Sequence, residues 1–358
     1  MAKTEAVYVV EPLHPRRAEG LVGHARAWAA FSASLRTGRM PHAWLLVGPR
    51  GVGKATFAYK AAVEILTKGG GAPGRLDPSN QSILRRVAAG SHGDLLAVER
   101  DLDGGDTQGI PVAAVRDLRK YFGLTSAEAG WRVAIVDALD DLSIHGVNAL
   151  LKVVEEPPPR ALLFLLAHRA GAVPATIRSR CRRLPFAGLA PGECVQVLER
   201  LLPDQSPVER SGLAHLANGA PGLAFAFAEA DALALFGEIT GLCRTLPALD
   251  VPAAHAFSER FARRPGSERF STFAAMFKIW VYRAAIRIVA GDSAVGADIV
   301  DGEGETQRQY STAAGLAGVL SLWNDVGRIA DAAIHAHLDR KQAVLDVLFA
   351  SRRQARGV

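Results

Sequence analysis

The sequence of 358 residues contains little cysteine and no long apolar segment. Its three cysteines, Cys181, Cys194 and Cys243, are widely spaced, which favours a reducing compartment and offers neither a disulfide framework nor a zinc site. No run approaches the roughly 18 uninterrupted apolar residues of a membrane helix. Residues 1–17 lack the apolar core and the small-residue cleavage site of an export signal. These absences predict a cytoplasmic protein without a membrane partner.

The composition indicates a folded protein with more than one domain. Hydrophobic residues make up 49% and charged residues 22% of the chain, which argues against disorder. A chain of this length can form two or three domains. The net charge of +6 permits contact with nucleic acid, but ordinary solvated surfaces also give such a value.

The most informative stretch is a strand followed by a glycine-rich loop. The apolar run Ala43–Val47 has the length of a buried parallel strand. Gly48, Gly51, Gly53 and Lys54 follow with the spacing G-x-x-x-x-G-K of a phosphate-binding loop. Glycines let backbone N–H groups point inward at phosphate oxygens, and the next helix directs its positive end at the anion. The stretch therefore predicts a phosphate or nucleotide cradle.

One part of this cradle is missing. The position after the lysine usually carries a hydroxyl that holds Mg²⁺, and here it is Ala55. Thr56 follows one residue later, about 100° further around the helix, which makes it a poor substitute. The loop is therefore a degenerate version of the motif.

A second catalytic part is missing from a later strand. The apolar run at 133–136 ends in Asp137, the Walker B pattern in which a carboxylate faces bound Mg²⁺ through water. An aspartate at a strand-to-loop turn is the alternative interpretation. A hydrolytic site usually has a glutamate next, and here that residue is Ala138, with Asp140 two positions further on.

Alternating strand and helix patterns predict a doubly wound parallel sheet with flanking helices. Further strands are predicted at 95–98, 133–136 and 162–167. Helices are predicted within 20–40, after the phosphate loop, over 112–122, and from a cap at Ser143 to the prolines that begin at Pro157. These segments form the predicted α/β domain, residues 1–188, with a small helical domain at 189–228 and an all-helical domain at 229–358 behind it.

Two apolar stripes with helical spacing occur in the last third of the chain. One contains Phe273, Met276, Phe277, Trp280 and Ala284, and the other contains Leu316, Val319, Leu320 and Trp323. Both are predicted to be core, and subunit contact is the alternative. The polar segments 69–93 and 291–309 are predicted to be loops.

Residues 177–183, Ile-Arg-Ser-Arg-Cys-Arg-Arg, follow the strand predicted at 162–167. A solvated basic patch is one interpretation of these four arginines.

Three sequence motifs together resemble those of the bacterial DNA polymerase III clamp-loader subunits of the AAA+ class. They are Gly38–Ala43 before the loop, Asn148–Lys152 before Glu-Glu-Pro-Pro, and Ser179-Arg180-Cys181. The resemblance covers roughly residues 20–225, and the remainder resembles the family in architecture only. It implies that residues 1–188 are an AAA+ domain, that 189–228 form a lid, and that 229–358 form an oligomerisation collar.

Within that family the departures from the motor pattern resemble the delta-prime type. Gamma and tau motor subunits keep the loop hydroxyl, the Walker B glutamate and a lid arginine, where this chain has Ala55, Ala138 and Gly222. Residues 67–95 contain no cysteine, so the four-cysteine zinc module of motor subunits is not expected. The resemblance implies that Arg180 reaches the ATP site of a neighbouring motor subunit. Arg178 and Arg182 flank it and remain alternatives.

The resemblance implies a noncatalytic subunit of the DNA polymerase III holoenzyme. It would join gamma/tau and delta in a hetero-pentamer that loads the sliding clamp onto primed DNA during replication. No cofactor is required, and the retained loop donors predict at most weak binding of ATP or ADP.

Two alternatives stay open at this point. The first is an active gamma/tau-type ATPase that recruits Thr56 and Asp140. The second is a nucleic-acid-binding module outside replication that uses the arginine cluster and the tail Arg352–Arg356.

Overall fold

The computed structural model describes residues 14–68, 78–100, 109–128, 130–262, 267–335 and 339–357. None of the helices in these ranges has both the length and the apolar character needed to cross a membrane. By its internal contacts the chain divides into two compact units. Within the described ranges, one unit contains residues 14–197 together with Gly219–Leu223, and the other contains Leu198–Asn218 and residues 224–357. The three-domain division at 188 and 228 stays a prediction.

The first unit contains a five-stranded parallel sheet in the order β2-β3-β4-β1-β5. Its strands are β1 (Ala43–Val47), β2 (Leu95–Glu99), β3 (Arg132–Asp137), β4 (Ala161–Ala167) and β5 (Arg182–Pro185). Strands that are covered on both faces are nearly continuous apolar runs, and every residue of β4 is buried. The predicted parallel sheet with flanking helices is confirmed.

Six helices accompany the sheet in this unit. They are α1 (Ala25–Arg36), α2 (Lys54–Lys68), α3 (Pro78–Ala88), α4 (Val112–Gly123), α5 (Ile144–Glu155) and α6 (Ala175–Arg178). Because neighbouring side chains of a strand point to opposite faces, β1 contributes to two cores. Trp44 and Leu46 pack in the core formed with α1 and α2, and Ala43 and Leu45 pack in the core formed with α4 and α5.

The start of α5 shows why the predicted cap was correct. The hydroxyl of Ser143 accepts a hydrogen bond from the Gly146 N–H at 3.2 Å. Such a cap satisfies one of the four N–H groups that a helix leaves without an internal partner, and it is worth about 1 kcal/mol.

The loop predicted over 69–93 is wrong in part. Residues 78–88 form α3, with Val87 buried in the core beside α2, whereas residues 89–93 contain no helix or strand. Gln81 and Ser82 are exposed, so a polar composition concealed a helix that buries only a narrow apolar side. Residues 69–77 lie outside the described part.

Nine helices make up the rest of the chain. They are α7 (Pro191–Leu201), α8 (Pro207–Leu216), α9 (Pro221–Glu229), α10 (Ala232–Arg244), α11 (Val251–Glu259), α12 (Ser267–Ala290), α13 (Asp292–Val295), α14 (Glu303–His335) and α15 (Arg340–Ala355), counted within the described ranges. A non-helical residue, Gly315 with φ of +65°, interrupts α14. The predicted all-helical C-terminal region is confirmed.

One of the two predicted apolar stripes is core, and the other is wrong in part. All five residues of the α12 stripe, from Phe273 to Ala284, are buried. On α14, Val319 is buried, but Leu316, Leu320 and Trp323 are 38%, 50% and 38% exposed. The buried face of α14 instead contains Val319, Leu322, Val326, Ala330 and Ala333. This face includes one residue of the predicted stripe, Val319, and lies next to the predicted face on the helix.

The loop predicted over 291–309 is also wrong in part, because it contains α13 and the beginning of α14. Its acidic residues neutralise two buried arginines of α12. Arg283 pairs with the fully buried Glu303, and Arg287 pairs with Asp292 and Asp298. Polar residues that favour a loop in the sequence are here partners of opposite charge for buried arginines, and Glu303 is itself buried.

Candidate functional site

The phosphate loop connects β1 to α2, and its first residue must be glycine. The Gly48 N–H donates to the oxygen of Ala167, the last residue of β4, at 3.1 Å. A Cβ at Gly48 would lie 2.1 Å from the backbone oxygen of Phe186, which follows β5. The loop thus leaves the sheet between the two strands that flank β1, at their carboxyl ends, where such sheets bind ligands.

Lys54 begins α2 and is turned back into its own loop. Its side chain donates to the backbone oxygens of Gly48 and Pro49, both at 2.7 Å, and the residue is only 4% exposed. Burial lowers the pKa of Lys54 to about 8, although the charges of Asp137 and Asp140 oppose this shift. The ammonium group that a phosphate would need is therefore already bonded within the chain.

A histidine that the sequence reasoning missed lies beside this lysine. His168 Nδ1 is 3.3 Å from Lys54 Nζ, and the His168 N–H donates to Asp140 Oδ2 at 2.7 Å. Burial, and then the charge of Lys54, lower the pKa of His168 to about 4, so it is neutral at pH 7. Its position directly after β4, the neighbour of β1, was the signal that could have identified it.

Two carboxylates end adjacent strands of the sheet. Asp137 of β3 pairs in register with Glu99 of β2. Burial, and then the charge of Glu99, raise the pKa of Asp137 to about 6. Although burial opposes it, hydrogen bonds from His14 (2.9 Å) and Tyr59 (2.6 Å) lower the pKa of Glu99. The carboxylate beside the Walker B-like Asp137 is therefore that of Glu99 on the neighbouring strand. The next residue along the chain, where a hydrolytic site usually has its glutamate, is Ala138.

The groups that would handle a metal are not arranged around the loop. Ala55 packs against the core, Thr56 is half-buried on α2, and Asp140 is committed to the His168 N–H and lies 3.7 Å from Arg169. The donor set that remains, the loop backbone and Lys54, fits a phosphate group but lacks the hydroxyl of a magnesium site. Across the described ranges, no group of three or more His, Cys, Asp or Glu side chains could hold a metal ion.

The start of α9 lies directly against the loop. The Gly222 N–H donates to the Gly51 oxygen at 2.9 Å. A Cβ at Gly51, whose φ is +77°, would lie 2.5 Å from the Leu223 nitrogen, and one at Gly222 would lie 3.0 Å from the Gly51 Cα. This backbone-to-backbone approach therefore depends on glycine at both positions. Gly53, with φ of +103°, is the third glycine of the loop.

Arg180 is separate from this cluster. It follows α6, with one guanidinium nitrogen 3.0 Å from Glu155 Oε1 and its side chain 41% exposed. Arg178 and Arg182 are also exposed, and the Arg182 guanidinium lies 5.9 Å from the centre of a Trp44 ring. The described contacts bring Lys54 and Asp137 to one edge of the sheet but do not include Arg180.

Part of the chain is similar to known proteins. Residues 23–190 match the family model described as DNA polymerase III, delta subunit. DNA polymerase III subunit delta' of Pseudomonas aeruginosa is 32% identical over 182 residues, which are 50% of this chain and 53% of that protein. Residues 23–190 are thus similar to DNA polymerase III clamp-loader subunits.

The chain is also similar to subunits of another kind. DNA polymerase III subunit tau of Bacillus subtilis is 28% identical over 220 residues, which are 61% of this chain and 37% of that protein. The chain thus spans about half or less of the length of these relatives. A solved gamma-subunit-related protein of Thermotoga maritima aligns with 91% of this chain and 99% of its own, at 16% identity and a TM-score of 0.39. Because delta' and tau both match, the matches support the family without separating its members.

Proposed function

We propose that this chain is a noncatalytic, delta-prime-like subunit of the DNA polymerase III clamp loader. It assembles with gamma/tau and delta in a hetero-pentamer that loads the sliding clamp onto primed DNA. Its helical C-terminal region contributes to this assembly. It needs no cofactor of its own, and its loop binds ATP or ADP weakly at most.

The observation that carries this proposal is a phosphate loop closed by its own chain. Lys54 is bonded to two loop carbonyls, and the backbone of Gly222 lies against Gly51. Gly222 occupies the position at which the family resemblance implies a lid arginine in motor subunits. A Cβ at that position would lie 3.0 Å from the Gly51 Cα, so a side chain there would require the loop to shift.

The rival is an active gamma/tau-type ATPase, which the match to tau keeps in view. It would have to recruit Thr56 for the metal and Asp140 for water. One oxygen of Asp140 already accepts a hydrogen bond from the His168 backbone, and the other lies 3.7 Å from Arg169. The ATPase would also lack the loop hydroxyl, because the residue after Lys54 is Ala55, and this favours the noncatalytic assignment.

The proposal gives Arg180 a role in the neighbouring subunit. Phosphoryl transfer depends chiefly on positioning and charge stabilisation, and an arginine supplied by another subunit is worth on the order of 10³–10⁵ in rate. Arg180 is partly exposed, as such a role requires. A subunit that does not hydrolyse ATP can therefore still promote ATP hydrolysis in the neighbouring subunit.

Two measurements test the noncatalytic assignment. The purified chain is expected to hydrolyse no ATP above background, and Lys54→Ala is expected to change nothing. Turnover that Lys54→Ala abolishes would establish the ATPase instead. Size-exclusion chromatography with gamma/tau and delta subunits of the same organism is expected to show a common complex, and failure to form one would refute the proposed partners.

A further inference from the structure

The guanidinium of Arg180 is held by acceptors of its own chain. Nη1 donates to the Thr176 oxygen at 3.1 Å and to the Ser179 hydroxyl at 3.4 Å, and Nη2 lies 3.0 Å from Glu155 Oε1. Thr176 and Ser179 belong to the same short turn as the arginine. Glu155 comes from a different element, because it is the last residue of α5. Among the described residues it is the one carboxylate within ion-pair distance of Arg180.

The position of Glu155 is unfavourable for the helix that carries it. The C-terminus of a helix has a partial negative charge, so an acidic residue in the last turn costs helix stability. Glu155 is also followed closely by Pro157, which prevents the helix from continuing past it. The carboxylate is therefore fixed beside Arg180 without stabilising α5, and its contact with the guanidinium is the interaction that offsets this cost.

We propose that Glu155 is a placeholder for phosphate, which holds Arg180 until the terminal phosphate of a neighbouring subunit's nucleoside triphosphate displaces it. This inference rests on the proposed function of Arg180. A phosphate carries more charge and more acceptor oxygens than a carboxylate, and it can bind a guanidinium through two parallel hydrogen bonds. The phosphate therefore outcompetes Glu155 once the subunits are in place.

The strength of the ion pair sets the size of the effect. The side chains of Arg180 and Glu155 are 41% and 45% exposed. Such pairs favour the bound arrangement by up to about fivefold, and salt weakens them. Glu155 thus lowers the fraction of Arg180 side chains that are free to bind the neighbouring subunit's phosphate by no more than this factor. At the same time it keeps the long arginine side chain ordered.

The test uses the reconstituted assembly with gamma/tau and delta, clamp and primed DNA, and follows ATP hydrolysis at several salt concentrations. Glu155→Gln is expected to raise the rate by up to about fivefold at low salt and to approach the wild-type rate at high salt. Glu156→Gln is the matched control, since it removes an adjacent exposed carboxylate that does not pair with Arg180. It is expected to leave the rate unchanged.

Variants of Arg180 separate this inference from the function on which it rests. Arg180→Ala is expected to lower the rate, and Glu155→Gln combined with Arg180→Ala is expected to match Arg180→Ala alone. A Glu155→Gln rate equal to or below wild type would overturn the placeholder role. An unchanged rate with Arg180→Ala would overturn the proposed function itself. If Glu155→Gln does not assemble, Glu155→Asp with its shorter carboxylate is expected to show a smaller increase, and no increase would overturn the inference.

Discussion

Replacement of Glu303 by glutamine tests whether the charged cluster between α12 and α14 stabilises the helical unit. Glu303 is fully buried and accepts hydrogen bonds from Arg283, from the Ile299 N–H at 2.7 Å and from the Gln307 side chain at 3.0 Å. Glu303→Gln keeps the shape but removes the charge. Arg283 then remains buried without its carboxylate, and breaking a buried ion pair from one side costs about 3–5 kcal/mol.

The expected loss is about 3 kcal/mol, because the glutamine oxygen can still accept one of these hydrogen bonds. For a unit of 150–250 residues this lowers Tm by roughly 6–12 °C. Urea unfolding followed by circular dichroism, with calorimetry for Tm, measures the loss. Asp292→Asn is the control, since Asp292 pairs with Arg287 and Arg308 while 55% exposed, and it should cost much less stability than Glu303→Gln. Equal losses in the two variants would refute the reasoning.

Two further predictions concern the phosphate loop. Affinity for ADP, measured by calorimetry, should fall as pH rises from 7 through 9, because Lys54 has a pKa of about 8 and an anion binds only its protonated form. Lys54→Ala should remove this pH dependence. A wild-type affinity that does not change with pH would contradict the prediction. Gly48→Ala should reduce the unfolding free energy by about 1–3 kcal/mol, because the new Cβ meets a backbone oxygen. Gly171→Ala, where a Cβ has open space, should change little in the same urea experiment, and similar losses at both glycines would count against a steric cause.

The parts of the fold that the sequence predicted are those that local patterns determine. The apolar runs of β1 and β4 are buried because a strand covered on both faces has no polar side. Ser143 was recognisable as a cap because its partner, Gly146, is three residues away. The glycine spacing likewise located the loop, since the turn itself gives Gly51 and Gly53 a positive φ, although Gly48 is required by its approach to the distant Phe186.

The parts that failed depend on residues distant in sequence. Glu303 looked like a loop residue because its partner, Arg283, is 20 residues away on another helix. His168 was missed because only the strand order places it beside Lys54, which is 114 residues away. Glu155 belongs to one of the motifs that resemble the family, but its pairing with Arg180 depends on how α5 and α6 pack.

The most direct test of the account is single-turnover ATP hydrolysis by the reconstituted assembly with Arg180→Ala in place of wild type. Under single-turnover conditions, the ATP site that Arg180 is proposed to reach would appear as a phase separate from those of the other sites. The account predicts that one phase of hydrolysis slows by on the order of 10³-fold or more, because that site loses its arginine. Phases that all stay within about twofold of wild type would contradict it.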